Sequence, residues 1–523
     1  MKHNGIIKRA NLLLAMFLFV ANACSSSGNN DNPGNEHEND NGPAVNTVVE
    51  LEPETQKLLR NPLMGWAIYA DAYHPDMNFW DNFDNIKVPN STTVYKASDY
   101  ATHLYIRWPW SAFEKQEGEY AWDHDEFLKL LVNGAKERGL KVAFRVYVDS
   151  RDYPDSSTPD YVREAGAAGF ETASGSHKVW TPYADDAVFQ QKFETFIAAF
   201  AKQYNDETTV EYVDGFGLGL WGEAHSMVYK NDANSEAVFK WIVDLYAKKF
   251  TAVPLVINYH RMLGATKDWG ATADSQSEAL LGYAVGKGYA LRHDAFGMSE
   301  YYSDYEKRIA KKYFPERPII AENGWWGSGS TAWQGDPNHY KSWADVWKQS
   351  LADALEAHAN IFDLRNAGET KSWFETSFDL IQEFVAIGGY RLYPDQLSLP
   401  QQVSNNSTIE ISHRWNNLGV GVCPNNISPW NNRYKVAFAL LDRSSKKARY
   451  ILVDDAANPA EWLKDAPKSY TFKPEIKGVN KGQYTWGVAI VDTSKDNARG
   501  ILLSTKKAPT SEGWTPLLDV EVK

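Results

Sequence analysis

Cysteine is almost absent from this chain of 523 residues: only Cys24 and Cys423 occur. A disulfide framework inside the folded body is excluded, and packing must hold it together. Long apolar runs are lacking too. Beyond the N-terminus no stretch approaches the ~18 consecutive apolar residues a spanning helix needs, which excludes a polytopic membrane fold. Positive charge is in the minority, with 54 Lys and Arg against 67 Asp and Glu and a net charge of −13. The field of the whole molecule therefore repels nucleic acid, and no nucleic-acid partner is expected. No H-E-x-x-H, C-x-x-C or P-loop is present, and the 12 His are scattered without ligand spacing. Neither a metal nor a cofactor is expected. Residues 217–222 do match G-x-G-x-x-G, but Glu223-Ala224-His225 continues into a loop rather than opening a helix, so a dinucleotide site is not expected. Aromatic residues, in contrast, are abundant: 20 Trp and 28 Tyr exceed what packing needs. Stacking on sugar faces accounts for such a surplus, and so do large aromatic cores.

The N-terminus carries Lys2, Lys8 and Arg9, an apolar run from Leu12 to Ala21, and then Ala21-Asn22-Ala23-Cys24. About 10 apolar residues cannot cross ~30 Å of hydrocarbon, so the run reads as an export signal. Small residues before a cysteine resemble the lipobox of bacterial lipoproteins. That resemblance implies a signal peptide over residues 1–23 and Cys24 as the lipidated first residue; an ordinary signal peptide with a stray cysteine is the alternative. Residues 24–46 are rich in Ser, Gly, Asn, Asp and Glu, the composition of a solvated tether. The expectation is a body lipid-anchored in a bacterial cell envelope, with Ser25 after the cysteine favouring the outer membrane.

Strand-like runs recur at residues 65–70, 103–110, 141–149, 213–223, 254–260, 295–302, 318–326 and 360–366. Helical periodicity fills most gaps, at 125–138, 187–204, 235–249, 305–313 and 343–358. Such alternation predicts a (β/α)8 TIM barrel over residues 47–388, with an open doubly wound sheet as the alternative. After Gly388 the pattern changes to short strand-like stretches separated by Asn, Gly and Pro, which predicts an antiparallel β-sandwich domain over residues 389–523.

Active sites of such barrels lie at the C-terminal ends of the strands. Glu223 and Glu322 close the most apolar of the runs, Gly215-Phe216-Gly217-Leu218-Gly219-Leu220-Trp221-Gly222 and Pro318-Ile319-Ile320-Ala321. A carboxylate leaving such a strand is costly in the core but useful at the mouth. From strands four and seven the two side chains can converge on one bond. One carboxyl that holds a proton and one that is ionised are what glycosidic cleavage requires. Other polar residues at strand ends are Arg107, Arg145, His225, Asn258, His260, Glu300, Tyr302 and Arg365, with Trp221, Trp325 and Trp326 as sugar platforms. Either arginine of strands two and three is a candidate to keep Glu322 ionised. Arg365 is open between an anionic substrate group and a structural ion pair.

The segment Ile106-Arg107-Trp108-Pro109-Trp110-Ser111-Ala112-Phe113-Glu114, followed by Glu117-Gly118-Glu119-Tyr120-Ala121-Trp122-Asp123, resembles the region after strand two of β-galactosidase-like clan A glycoside hydrolases. Asn61-Pro62-Leu63-Met64-Gly65-Trp66 and Trp221-Gly222-Glu223 resemble a group of uncharacterised bacterial lipoproteins with a barrel and a C-terminal β-sandwich. The resemblance implies a retaining glycoside hydrolase with a carbohydrate substrate, Glu223 as acid/base and Glu322 as nucleophile. It also implies that Glu300 or Tyr302 on strand six orients Glu322. One departure stands out: clan A enzymes carry Asn before the strand-four acid to bind the sugar 2-hydroxyl, and here that position is Gly222. The contact then falls to His225 or Asn258. The competing expectation is a surface lipoprotein that binds glycan without catalysis.

Overall fold

The computed structural model describes residues 46–71, 75–174, 176–270, 272–326 and 332–523. The signal peptide, Cys24 and nearly all of the tether lie outside them. Eight parallel strands form a closed barrel: β1 (Gly65–Asp71), β2 (Ala101–Pro109), β3 (Lys141–Tyr147), β4 (Val210–Asp214), β5 (Leu255–Asn258), β6 (Ala290–Phe296), β7 (Ile319–Asn323) and β8 (Ala359–Asp363). They pair in chain order, and β8 returns to β1 through Ile361, Phe362 and Asp363 against Gly65, Trp66 and Ala67. All eight runs read from the sequence contribute a strand, but two boundaries move. Strand four ends at Asp214, well before Glu223, and strand six lies over Ala290–Phe296 rather than 295–302.

Several helices on the outside begin where the sequence supplies caps. Asp125 accepts from the Leu128 N–H at the start of Glu126–Glu137, and Asp186 accepts from Val188 and Phe189 at the start of Ala187–Tyr204. Ser342 and Asn366 do the same for Trp343–Glu356 and Ala367–Thr376. Ser303 and Glu306 form a reciprocal capping box on Asp304–Tyr313. Each side chain satisfies N–H groups that have no partner inside the helix.

Alternation along the strands sets two layers inside the barrel. The lower layer is largely apolar: Ala67, Tyr105, Ala143, Tyr212, Val256, Ala290, Ile320 and Ile361. Two residues further along each strand stand Tyr69, Arg107, Arg145, Asp214, Asn258, Arg292, Glu322 and Asp363, all buried. A barrel strand thus passes from hydrocarbon to charge in one step of its pleat, and the charged layer faces the C-terminal mouth.

The lower layer does not end at the barrel floor. It belongs to one hydrophobic cluster with the C-terminal domain, through Leu397, Ile411, Phe438, Trp486 and Val488. That domain is a β-sandwich. One sheet pairs Leu392–Pro400, Ile411–Asn417 and Lys468–Phe472; the other is built on Gly482–Asp492, flanked by Tyr434–Asp442 and Thr515–Val522. The expected domain boundary needs a correction at the N-terminal side. Asn46–Glu50, of which Asn46 is expected in the tether and residues 47–50 in the barrel, pairs antiparallel with Leu392–Pro400 as an edge strand of the sandwich. Asn360 ties barrel to sandwich by donating to the Leu63 and Val422 carbonyls (2.9 and 2.7 Å) and accepting from the Val422 N–H (3.1 Å). Cys423, beside this seam, is buried and unpaired.

Candidate active site

A cavity of about 520 Å³ opens at the C-terminal mouth of the barrel. Its floor is the charged layer and the first residues after it: Tyr69 and Asp71 of β1, Arg107 of β2, Asp294 of β6, Glu322 of β7 and Arg365 after β8. Loop residues build the walls. Trp269, Tyr301 and Trp325 form one side, with Trp269 and Tyr301 rings 5.5 Å apart and Tyr301 and Trp325 rings 4.9 Å apart. Trp221, Glu223, Arg151, Asp152 and Asp268 close the remainder, and the Trp221 indole donates to Asp152 at 2.7 Å.

Glu322 is held by cations on both oxygens. Arg292 donates to Oε2, and Arg365 donates to Oε1 at 3.0 Å. Burial acts to raise its pKa, but Arg292, Arg365 and Arg145 together outweigh burial and bring it below the usual carboxylate value. Next to it, Asp363 goes the other way. Burial and then the charge of Glu322 push its carboxyl well above the ordinary value, so it stays protonated while Glu322 is ionised. Asp363 accepts from the Asn323 N–H at 2.8 Å and so fixes the residue after the carboxylate.

Glu223 reaches the same cavity by a different route. Its segment leaves β4 and runs beside the end of β3, with the Val148 N–H bonded to the Gly217 carbonyl and Trp221 N–H to the Asp149 carbonyl. It then turns through Trp221, Gly222, Ala224 and Ser226, all with φ between 51° and 75°. Left-handed backbone at three non-glycine residues is strained, and hydrogen bonds from Leu220, Glu223 and Ala224 within the loop hold it in place. The loop accounts for the missing asparagine. At Gly222 φ is 75°, and a Cβ would lie 3.1 Å from Tyr147 Cβ and 3.2 Å from Gly217 Cα, so a larger side chain has neither the conformation nor the space.

Arg145 donates to Glu223 Oε1 at 2.7 Å and to Asp214 at 2.7 Å. This corrects the expectation that Glu223 rests protonated. Burial raises its pKa, yet the His225 contact and the charges of Arg145, Arg107 and Arg292 bring it down to about 2. Both carboxylates are ionised in the free site.

Of the residues singled out in the sequence, the cavity brings together Arg107, Trp221, Glu223, Glu322, Trp325 and Arg365. Arg365 is engaged structurally, by Glu322, the Asn323 carbonyl and Glu369. His225, Asn258 and His260 are buried behind the wall and do not line it, so the sugar 2-hydroxyl contact expected of His225 or Asn258 is not in place. Glu300 is exposed outside the cavity, because strand six ends before it. Tyr302 stacks on Phe296 at 4.1 Å and Trp326 packs against Tyr340, both in the core. The orienting of Glu322 expected from Glu300 or Tyr302 falls to Arg292 and Arg365. Sequence reading missed Arg292, Asp294, Asp363, Asp268, Trp269 and Tyr301. For the first three the signal was the period-two step from Ala290 and Ile361 to a charged residue; the loop residues gave none. Among the described residues no group of three or more His, Cys, Asp or Glu is arranged to hold a metal ion.

No protein-family model matches the chain, and no curated protein does. Solved structures with distant similarity include the catalytic domain of β-amylase from Paenibacillus polymyxa, at 10% identity, 61% of this chain, 99% of that chain and a TM-score of 0.41. β-Galactosidase from the psychrophilic Marinomonas ef1 follows at 10% identity, 62% of this chain, 59% of that chain and 0.39. Endo-glycoceramidase II from Rhodococcus sp., in complex with a cellobiose-like imidazole, has 12% identity, 81% of this chain, 100% of that chain and 0.35. Likenesses this distant leave the chemistry to the side chains themselves.

Proposed function

We propose that this protein is a retaining glycoside hydrolase acting on neutral sugars, with Glu322 as nucleophile and Glu223 as acid/base. The observation that carries the reading is that both carboxylates line one cavity at the barrel mouth, with Glu322 clamped as an anion by Arg292 and Arg365. In the first half-reaction Glu322 attacks the anomeric carbon while Glu223 protonates the departing oxygen; in the second, Glu223 takes a proton from the water that releases the sugar from Glu322. Glu223, ionised in the free site, must receive a proton before it can give one.

Charge supports a neutral substrate. Asp71, Asp152, Glu223, Asp268, Asp294 and Glu322 line the cavity against Arg107, Arg151 and Arg365, and Arg365 is taken up by Glu322 and Glu369. A uronate would meet a net negative field. The wall of Trp269, Tyr301 and Trp325 offers flat faces for stacking on a pyranose. Turnover of at least one 4-nitrophenyl glycoside of a neutral hexose or pentose, with none on the glucuronide or galacturonide, is expected. Retardation in affinity electrophoresis without turnover on any glycoside would instead make the protein a glycan-binding lipoprotein.

The lipobox-like tract supports a place in the bacterial cell envelope, with the outer membrane as the anchored site. Incorporation of radiolabelled palmitate, lost in Cys24→Ala, tests the anchor.

A further inference from the structure

His225 stands two residues after Glu223, fully buried behind the cavity wall. Its two ring nitrogens face two carboxylates. Nε2 lies 3.6 Å from Glu223 Oε2, and Nδ1 lies 3.4 Å from Asp268 Oδ1 and 3.1 Å from the Ser226 hydroxyl. Nε2 makes no shorter polar contact that qualifies as a hydrogen bond. Asp268 is the outer end of this line: its side chain is 41% exposed, lines the cavity and pairs with Arg151 at 2.7 Å. The inner end is Glu223, whose other oxygen is held by Arg145. Around the imidazole stand the rings of Trp221, Trp269 and His260, at 5.9, 5.4 and 5.4 Å.

His260 cannot take the same part. Its Nδ1 accepts from the Met262 N–H at 3.0 Å, which leaves Nε2 to donate to the Glu223 carbonyl. Burial, and then the neighbouring imidazoles of His225 and His293, hold it well below the ordinary histidine value, so it is a neutral brace for the backbone of Glu223. His293, further along, turns its Nδ1 toward Asp294.

We propose that His225 is the proton-supplying residue of the site, and that the line Asp268, His225, Glu223 is a relay between solvent and the acid/base. The proposal rests on the glycosidase reading. Arg145 keeps Glu223 ionised, so it needs a proton before it can act as an acid, and His225 stands directly behind its free oxygen. In the first half-reaction the Nε2 proton of a doubly protonated His225 passes to Glu223 Oε2, a proton passes from Glu223 to the glycosidic oxygen, and the C–O bond breaks with its electron pair on the leaving alcohol. His225 is then neutral. In the second half-reaction water gives a proton to Glu223 as its oxygen bonds to the anomeric carbon and displaces Glu322, and that proton returns to Nε2. Protons balance over the cycle, and Asp268 lets the imidazole equilibrate with solvent between turnovers.

The test separates a proton supply from a structural role. Full-length wild type, His225→Gln and Asp268→Asn are compared on phenyl and 2,4-dinitrophenyl glycosides of the sugar that wild type turns over. The dinitrophenolate leaves without a proton, whereas phenolate needs one. His225→Gln is expected to lose about 10²-fold in kcat/KM on the phenyl glycoside, the scale of general acid catalysis, and only about threefold on the dinitrophenyl glycoside. Asp268→Asn, at a partly exposed position, is expected to lose about tenfold on the phenyl substrate alone. An active wild type whose His225→Gln variant loses the same factor on both substrates, or nothing, overturns the relay and leaves the glycosidase reading standing. A wild type inactive on every glycoside overturns both.

Discussion

Glu322 and Glu223 leave similar sequence, each a carboxylate at the end of an apolar run, yet two different constructions hold them. Glu322 is on a regular strand, one pleat above Ile320, and its position follows from the barrel itself. Glu223 stands on a loop beyond β4 that turns through several left-handed residues and is braced by His260 and Arg145. The strand gives a rigid anion beside Arg292. The loop gives a carboxylate whose backbone is locked but whose proton has to be brought to it. In the proposed roles a nucleophile needs fixed position and charge and an acid/base needs exchange of a proton, which these two constructions would supply.

The largest effect that separates them is on catalysis. Glu322→Ala is expected to reduce turnover of every glycoside by at least about 10³-fold regardless of leaving group. Glu223→Ala should lose about 10²-fold or more on phenyl glycosides yet regain activity on dinitrophenyl glycosides when azide is added, because azide displaces Glu322 from the glycosyl-enzyme and the trapped product keeps the substrate's anomeric configuration. Equal, leaving-group-independent losses in both variants would erase the distinction. The next effect is structural. Gly222→Ala places a Cβ 3.1 Å from Tyr147 at φ 75°, and is expected to cost about 1–3 kcal/mol of stability, read as a lowered Tm in thermal unfolding. The same change at a right-handed, open surface glycine would cost less, and an unchanged Tm would show that the loop is not strained as described.

A further effect appears only in acid. Glu223 has its carboxyl lowered from 4.5 in the unfolded chain to about 2 in the fold. Its contribution to stability is therefore full above pH 4.5 and lost as pH falls toward 2. Urea midpoints measured across that window should decline in wild type more than in Glu223→Gln, which has no proton to gain there. Parallel declines would mean that Arg145 does not hold Glu223 as an anion.

Much of the fold was legible because the barrel is written locally. Strand-like runs, the helical periodicity at 125–138, 187–204 and 343–358, and the change of pattern after Gly388 all lie within short windows. Strand six was misplaced because Arg292, His293 and Asp294 are polar where a half-buried strand is expected to be apolar, while the following aromatic run looks more strand-like than it is. Burial inside the charged layer, paired with Glu322 and Asp214, overrides that preference. The strand Asn46–Glu50 is split between tether and barrel in the sequence because its partner strand lies far away along the chain, and a single edge strand has no local mark of where it pairs. In the site, the carboxylates were visible at the ends of apolar runs. The state of Glu223 was not, since it depends on Arg145 from β3 and His225 folding around it. Nor could sequence tell that Trp325, 42% exposed, stands in the cavity wall while Trp326 is buried in the core.

The most direct test of the whole reading is chemical trapping of Glu322. Wild type incubated with a 2,4-dinitrophenyl 2-deoxy-2-fluoro glycoside of its sugar should lose activity with time, and mass spectrometry of the digest should find the added fluorosugar on the peptide that contains Glu322, with Glu322→Gln unlabelled. A turnover-competent enzyme that stays unlabelled, or that carries the sugar on any other residue, would contradict the assignment of Glu322 as nucleophile.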